Sequence, residues 1–148
     1  MKTKEELFEE SLKLFLERGY DNTSMSLIAK RVGLCKAGLY HHFSTKESLL
    51  FQIIEQLIEE EFVPILEETE KISDPGERLA HFVKSFTKLL VTDDKARVVI
   101  HDARRLKPKH LQKIRQIWRR TYDLIKNAIS EMESSGKTKK RNKAFSAF

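Results

Sequence analysis

One cysteine, three prolines and five glycines are all that this 148-residue chain offers as covalent staples and backbone breaks. With Cys35 alone, no internal disulfide can form. No window approaches the roughly 20 apolar residues that a membrane helix needs. The opening MKTKEELFEES lacks the apolar stretch of a secretion signal. The expectation is a soluble cytoplasmic protein with no membrane partner. Glycine-rich phosphate loops and nucleophile elbows are absent from the sequence. His81, His101 and His110 stand at no metal-ligand spacing from the cysteine. His41 and His42 are adjacent, so on a helix they point to different faces and make a poor metal pair. No catalytic residue, metal or cofactor is expected, and the chain does not read as an enzyme.

What is present is helix after helix. Apolar residues recur at helical rather than alternating spacing, which predicts an all-α fold. The first helix runs from about Lys4 to Arg18, with Thr3 and Glu6 at capping-box spacing, Phe8, Leu12, Phe15 and Leu16 on one face, and Gly19 as its stop. A second helix starts at Ser24 and ends at Gly33, and a short third spans about Lys36 to Phe43. Ser44 or Thr45 caps a long fourth helix that reaches Glu70, which Pro64 should kink or break. Asp74-Pro75 with Glu77 is a strong helix start. Asp93 or Asp94 opens another helix that ends before Pro108, and a last long helix runs from about Lys109 to Ser134.

Residues 24–43, SMSLIAKRVGLCKAGLYHHF, carry the functional signal. A helix-turn-helix needs a small residue where its helices cross, a glycine in the turn and aliphatics bracing both helices. Ala29, Gly33 and the set Ile28, Val32, Leu34 and Leu39 fill those places. At 100° per residue Leu39 and Phe43 point together into a core. Ala37, Gly38, Tyr40 and His41 then fall on opposite or flanking faces, and Lys36 lies at the helix start, where free amides also attract phosphate. Most of the +6 net charge arises in residues 95–148, so global charge does not locate a DNA surface. Residues 24–46 do: they hold Lys30, Arg31, Lys36 and Lys46 with no acid.

The stretch GYDNTSMSLIAKRVGLCKAGLYHHFSTKESLL resembles the N-terminal domain of TetR-type (TetR/AcrR) transcriptional regulators. The resemblance rests on Gly19-Tyr20, Thr23-Ser24, Ile28-Ala29, Gly33, Leu39-Tyr40, His42-Phe43, Lys46 and Leu49. It is dense over residues 4–50, and beyond that only the helix layout is similar. It implies a helix-turn-helix DNA-binding domain at 1–50 and a helical ligand-binding and dimerisation domain at 51–148. It further implies that Ser26, Lys36, Ala37 and Gly38 face bases of a double-stranded operator, while Ser24, Tyr40, His41, His42 and Lys46 contact phosphate. Cys35 departs from the Ser or Thr usual before the recognition helix. A thiol is a weaker helix cap, and beside Lys36 it is either a tolerated substitution or a redox switch.

Phe82, Phe86, Val99, Trp118 and Tyr122 are either plain bundle core or the lining of a ligand cavity, the region where the family binds its inducer. The basic run Arg104, Arg105, Lys107, Lys109, Lys113, Arg115, Arg119 and Arg120 is a solvated face, or it receives an anionic ligand or DNA phosphate. Its layout faintly resembles family members that sense acyl-CoA-like inducers. Such repressors are homodimers built on two C-terminal helices, which here would start near Ala144, and the sequence stops at Phe148. The expectation is a bundle short of its last helices, with dimerisation in doubt. The alternative function is a truncated, non-DNA-binding protein that titrates a full-length partner.

Overall fold

The structure is a computed structural model in which residues 3–136 are described. Those residues form eight α-helices and contain no strand. They are α1 (Lys4–Arg18), α2 (Met25–Val32), α3 (Lys36–His42), α4 (Lys46–Leu57), α5 (Val63–Glu70), α6 (Pro75–Thr92), α7 (Asp94–Asp102) and α8 (Pro108–Ser134). The sequence AFSAF, which prompted the expectation of missing helices, lies outside the described residues.

Local chemistry sets the boundaries. Thr3 and Glu6 form the reciprocal capping box, and Ser24, Thr45 and Asp74 each accept from an amide in the first turn they precede. Gly33 ends α2 at φ 73°, a left-handed conformation that only glycine adopts freely. Pro64 does not stop the fourth helix. A five-residue π turn, Ile58–Phe62, bridges α4 and α5. A proline has no amide to donate and crowds the preceding turn, and a widened turn absorbs both defects without ending the rod.

The largest core cluster joins α1 to α4 with later elements. Leu14, Ile28, Leu39, Leu49, Leu50 and Ile54 are fully buried there, together with Val98, Ala103, Leu106 and Ile114. α4 runs straight through position 50, so this core is shared across the expected domain boundary. A second group, Leu66, Phe82 and Leu124, packs α5, α6 and α8 together. Not every apolar position is internal. Leu16, expected on the buried face of α1, lies at its exposed edge, and Val83 and Ile100 are more than half exposed. No helix among the described residues is long and apolar enough to cross a membrane.

Candidate nucleic-acid interface

Two apolar anchors hold α3. Leu39 is fully buried and Phe43 nearly so, with the Phe43 ring 5.7 Å from that of Phe8 on α1. Behind them Ile28, Ala29 and Val32 of α2 are buried, so the two helices are locked at a fixed angle. This leaves Lys36, Ala37, Tyr40, His41 and His42 exposed on the other side, with Gly38 partly covered. Lys36 Nζ stands 6.0 Å from the Tyr40 ring centroid, one turn along. The His41 and His42 rings meet edge to face at 5.6 Å rather than converging on a metal, and no group of three or more potential metal ligands occurs among the described residues. Cys35 does cap α3: its Sγ accepts from the Gly38 amide at 3.3 Å. A Cβ added at Gly38 would meet that sulfur at 3.5 Å, an ordinary contact.

Ser24 is exposed, and its Oγ accepts from the Leu27 amide at 3.1 Å, which leaves its own hydrogen free to donate. Ser26 is exposed in the first turn of α2. The cations of the acid-free window divide into two kinds. Lys30 and Lys36 are exposed and make no ion pair among the described residues. Arg31 is turned toward α1, 3.0 Å from Glu17 and 3.6 Å from Glu10. Lys46 donates to the Tyr20 carbonyl at 2.8 Å and lies 4.2 Å from the Tyr20 ring centroid, so it clasps the α1–α2 turn to α4. Its partial burial holds its pKa below the usual lysine value. Burial, aided by the nearby Glu47 charge, pushes the Tyr20 phenol up to about 12.

The segment between α7 and α8 is docked against this region. Arg105 pairs with Asp21 and lies 5.6 Å from the Tyr20 centroid. Glu47 Oε1 accepts from the Lys107 amide and from His110 Nδ1, both at 2.8 Å. His110 also stacks on Phe51, with centroids 4.0 Å apart and planes 5° from parallel. No local spacing signals these contacts. His110 and Glu47 are 63 residues apart and Arg105 and Asp21 are 84 apart.

A mostly apolar cavity of about 460 Å³ lies between the π turn, α6, α7 and α8. All five expected ligand-contacting residues, Phe82, Phe86, Val99, Trp118 and Tyr122, line it. Phe62, Phe82 and Phe86 form an aromatic cluster in its wall, with centroids 5.5–6.4 Å apart. Trp118 and Tyr122 are half exposed at the mouth, and exposed Lys126 is the one cation in the lining among the described residues. The volume falls within the range of small-molecule sites. Elsewhere in the basic run, Lys113 pairs with Glu55 at 3.2 Å and Arg120 grips Glu70 through two bonds of 2.7 and 2.8 Å.

Residues 7–53 match the family model described as bacterial regulatory proteins, tetR family, and residues 73–148 match that of a tetracyclin repressor-like C-terminal domain. The chain is 41% identical over 51 residues to IcaR, the negative transcriptional regulator of the icaADBC biofilm operon in Staphylococcus aureus strain Newman. That match covers 34% of this chain and 27% of IcaR. Among solved structures, AibR in complex with isovaleryl coenzyme A and operator DNA superposes with a TM-score of 0.80 at 30% identity, over 93% of this chain and 75% of AibR. PfmR of Thermus thermophilus also superposes at 0.80, with 26% identity, over 92% of this chain and 75% of PfmR.

Proposed function

The chain belongs to the TetR family of bacterial regulatory proteins, and from that membership we propose that it is a transcriptional repressor that binds duplex operator DNA through α3 and is released by a small apolar ligand. The observation that carries this reading is the exposed face of α3. It is free of acids and small at Ala37 and Gly38, and Leu39 and Phe43 anchor it rigidly from behind. A face of this kind can enter a major groove without a charge penalty and bring its backbone close to base edges. In this reading Lys36, Ala37, Gly38 and Ser26 meet bases. Ser24, Tyr40, His41 and His42 position the helix on phosphates. Lys46 contributes through whatever donors its bond to Tyr20 leaves free. Two copies would present two such helices to two half-sites about one helical turn apart.

The ligand site is the cavity beside α7. Its apolar aromatic wall suits an acyl chain, and Lys126 at its rim suits an anionic headgroup, so an acyl-CoA-like inducer is the ligand class we favour. AibR, with isovaleryl coenzyme A bound, is the relative that lends support.

The test is a mobility shift with the DNA immediately upstream of this chain's own coding sequence, repeated with acyl-CoAs of increasing length. A salt-dependent shift that one chain length abolishes is the expected result. A well-folded protein that shifts no duplex, and elutes as a monomer, would sink the proposal and favour the partner-titrating alternative. Val99→Phe, which narrows the cavity, should leave the DNA shift intact and remove its sensitivity to the acyl-CoA.

A further inference from the structure

We infer that the connector after α7 together with the first turn of α8, residues 104–110 (RRLKPKH), is a second DNA contact, a cationic strap that meets backbone phosphates beside the groove entered by α3. This rests on the operator-binding reading above and extends it to residues that lie outside the helix-turn-helix.

Three observations converge on the strap. The first is its composition: Arg104, Arg105, Lys107 and Lys109 with no acid between them. The second is its placement. Arg105 is tied to Asp21, three residues before the cap of α2, and the Lys107 amide and His110 are tied to Glu47, which follows Lys46 directly at the start of α4. The strap therefore spans the N-terminal ends of α2 and α4, where the helix dipoles and exposed Ser24 favour phosphate. It is also held rigidly, because Ala103 and Leu106 are buried in the main core on either side of Arg104 and Arg105.

The third observation is how the charges are used. Asp21, Asp102 and Glu47 are acids at this end of the interface, and all three are engaged: Arg105 pairs with Asp21 and Asp102, and Glu47 holds the Lys107 amide and His110. Repulsion of a polyanion is thereby reduced. Arg104, Lys107 and Lys109 remain exposed, and Arg104 and Lys109 make no ion pair among the described residues. Arg105 and Lys46 already crowd one tyrosine ring, at 5.6 and 4.2 Å. Duplex DNA supplies phosphates in a regular row along such an edge. Contacts of this kind add affinity and salt dependence without reading sequence.

The experiment compares three proteins on two duplexes of about 30 bp, long enough for two half-sites and their flanks, one from upstream of the coding sequence and one random, across a KCl series. The proteins are the natural chain, the strap variant Arg104→Gln/Lys107→Gln/Lys109→Gln, and the charge-matched control Lys84→Gln/Arg115→Gln/Arg119→Gln on exposed faces of α6 and α8. Glutamine keeps the backbone amide at position 107 and its bond to Glu47, and an unchanged melting curve reports that the fold is intact. Each lost phosphate contact lowers the slope of log K against log salt by about 0.9. The strap variant should lose about 1–3 from the slope and weaken both duplexes by the same factor, while the control should not. Lys107→Arg/Lys109→Arg should keep the natural slope. Equal losses in strap and control variants, no loss in either, or a loss confined to the upstream duplex would each overturn the phosphate assignment. Failure of the natural chain to bind either duplex would overturn the operator reading itself, and the strap with it.

Discussion

Glu47→Ala should loosen the joint between the DNA-binding helices and the rest of the molecule, with a cost that the geometry lets us work out. The Glu47 side chain is 12% exposed and its Oε1 accepts two bonds of 2.8 Å, from the Lys107 amide and from His110 Nδ1. A hydrogen bond to a charged group contributes about 1.5–3 kcal/mol. Lys107 is exposed, so water can replace part of what its amide loses. His110 is mostly covered and stacked on Phe51, and water cannot reach it as readily. The expected loss is about 2–4 kcal/mol. For a chain of about 150 residues this amounts to roughly 4–16 °C in Tm, at about 2–4 °C per kcal/mol. Urea unfolding followed by Trp118 fluorescence and by far-UV circular dichroism measures it. The pH dependence supplies a sign. Burial alone would raise the Glu47 pKa, but the bonds from His110 and the Lys107 amide outweigh it and hold the carboxyl below 4.5. The folded state thus binds this proton less tightly than the unfolded chain. The stabilisation is present in full above about pH 4.5 and drains away as the pH falls through the lower folded value. The gap between the natural protein and the Glu47→Ala variant should be full at about pH 7 and shrink toward about pH 3. A gap under about 0.5 kcal/mol at neutral pH, or one undiminished in acid, would refute the reasoning.

Two further substitutions separate stability from recognition. Gly38→Ala meets only an ordinary contact with Cys35 Sγ inside the fold and removes a glycine from a helix, so stability should rise by up to about 1 kcal/mol; if the backbone of α3 must approach base edges closely, affinity for duplex DNA falls at the same time, as anisotropy titration would read. Lys36→Ala should weaken binding to a duplex selected from a random library by about 1–3 kcal/mol more than binding to random DNA, and equal losses on both would make Lys36 a phosphate contact.

Much of this molecule was legible because its helix boundaries are written locally. Thr3 with Glu6, Ser24, Gly33 and Asp74-Pro75-Glu77 each act within one turn, and each acts as the spacing predicts. The period of Leu39 and Phe43 likewise told which face of α3 would be covered. Pro64 was harder. The sequence says that the helix must be perturbed there, but whether it breaks or widens into a π turn depends on how Ile58 and Phe62 pack against distant helices. Long-range pairings were not legible. Arg31 reads like Lys30 in the sequence, yet it folds back on Glu17, and Lys46 commits a donor to Tyr20. Composition counts charges. Only the fold says which of them are already occupied.

The cavity shares part of its wall with the core that carries α1 to α4. Ile58 belongs to the main core and also lines the cavity, and Val99 and Ile117 pack against that core while facing the same space. α7 presents buried Val98 to the DNA-binding helices and Ala96, Val99 and Ile100 to the cavity, then runs into the turn that carries Arg105. A tenfold to hundredfold loss of operator affinity on ligand binding requires about 1.4–2.8 kcal/mol of coupling. Reburial of two or three methylenes supplies that much, at about 0.8 kcal/mol each. So does one of the two bonds to Glu47. On the proposed function, release therefore needs no large rearrangement. A ligand that fits the cavity only when α7 shifts would strain the anchors at Asp21 and Glu47 directly, and with them the ends of α2 and α4. By the same reasoning Glu47→Ala should weaken the proposed coupling, so that an acyl-CoA titrated against the DNA complex acts less strongly on the variant than on the natural chain even where both bind DNA.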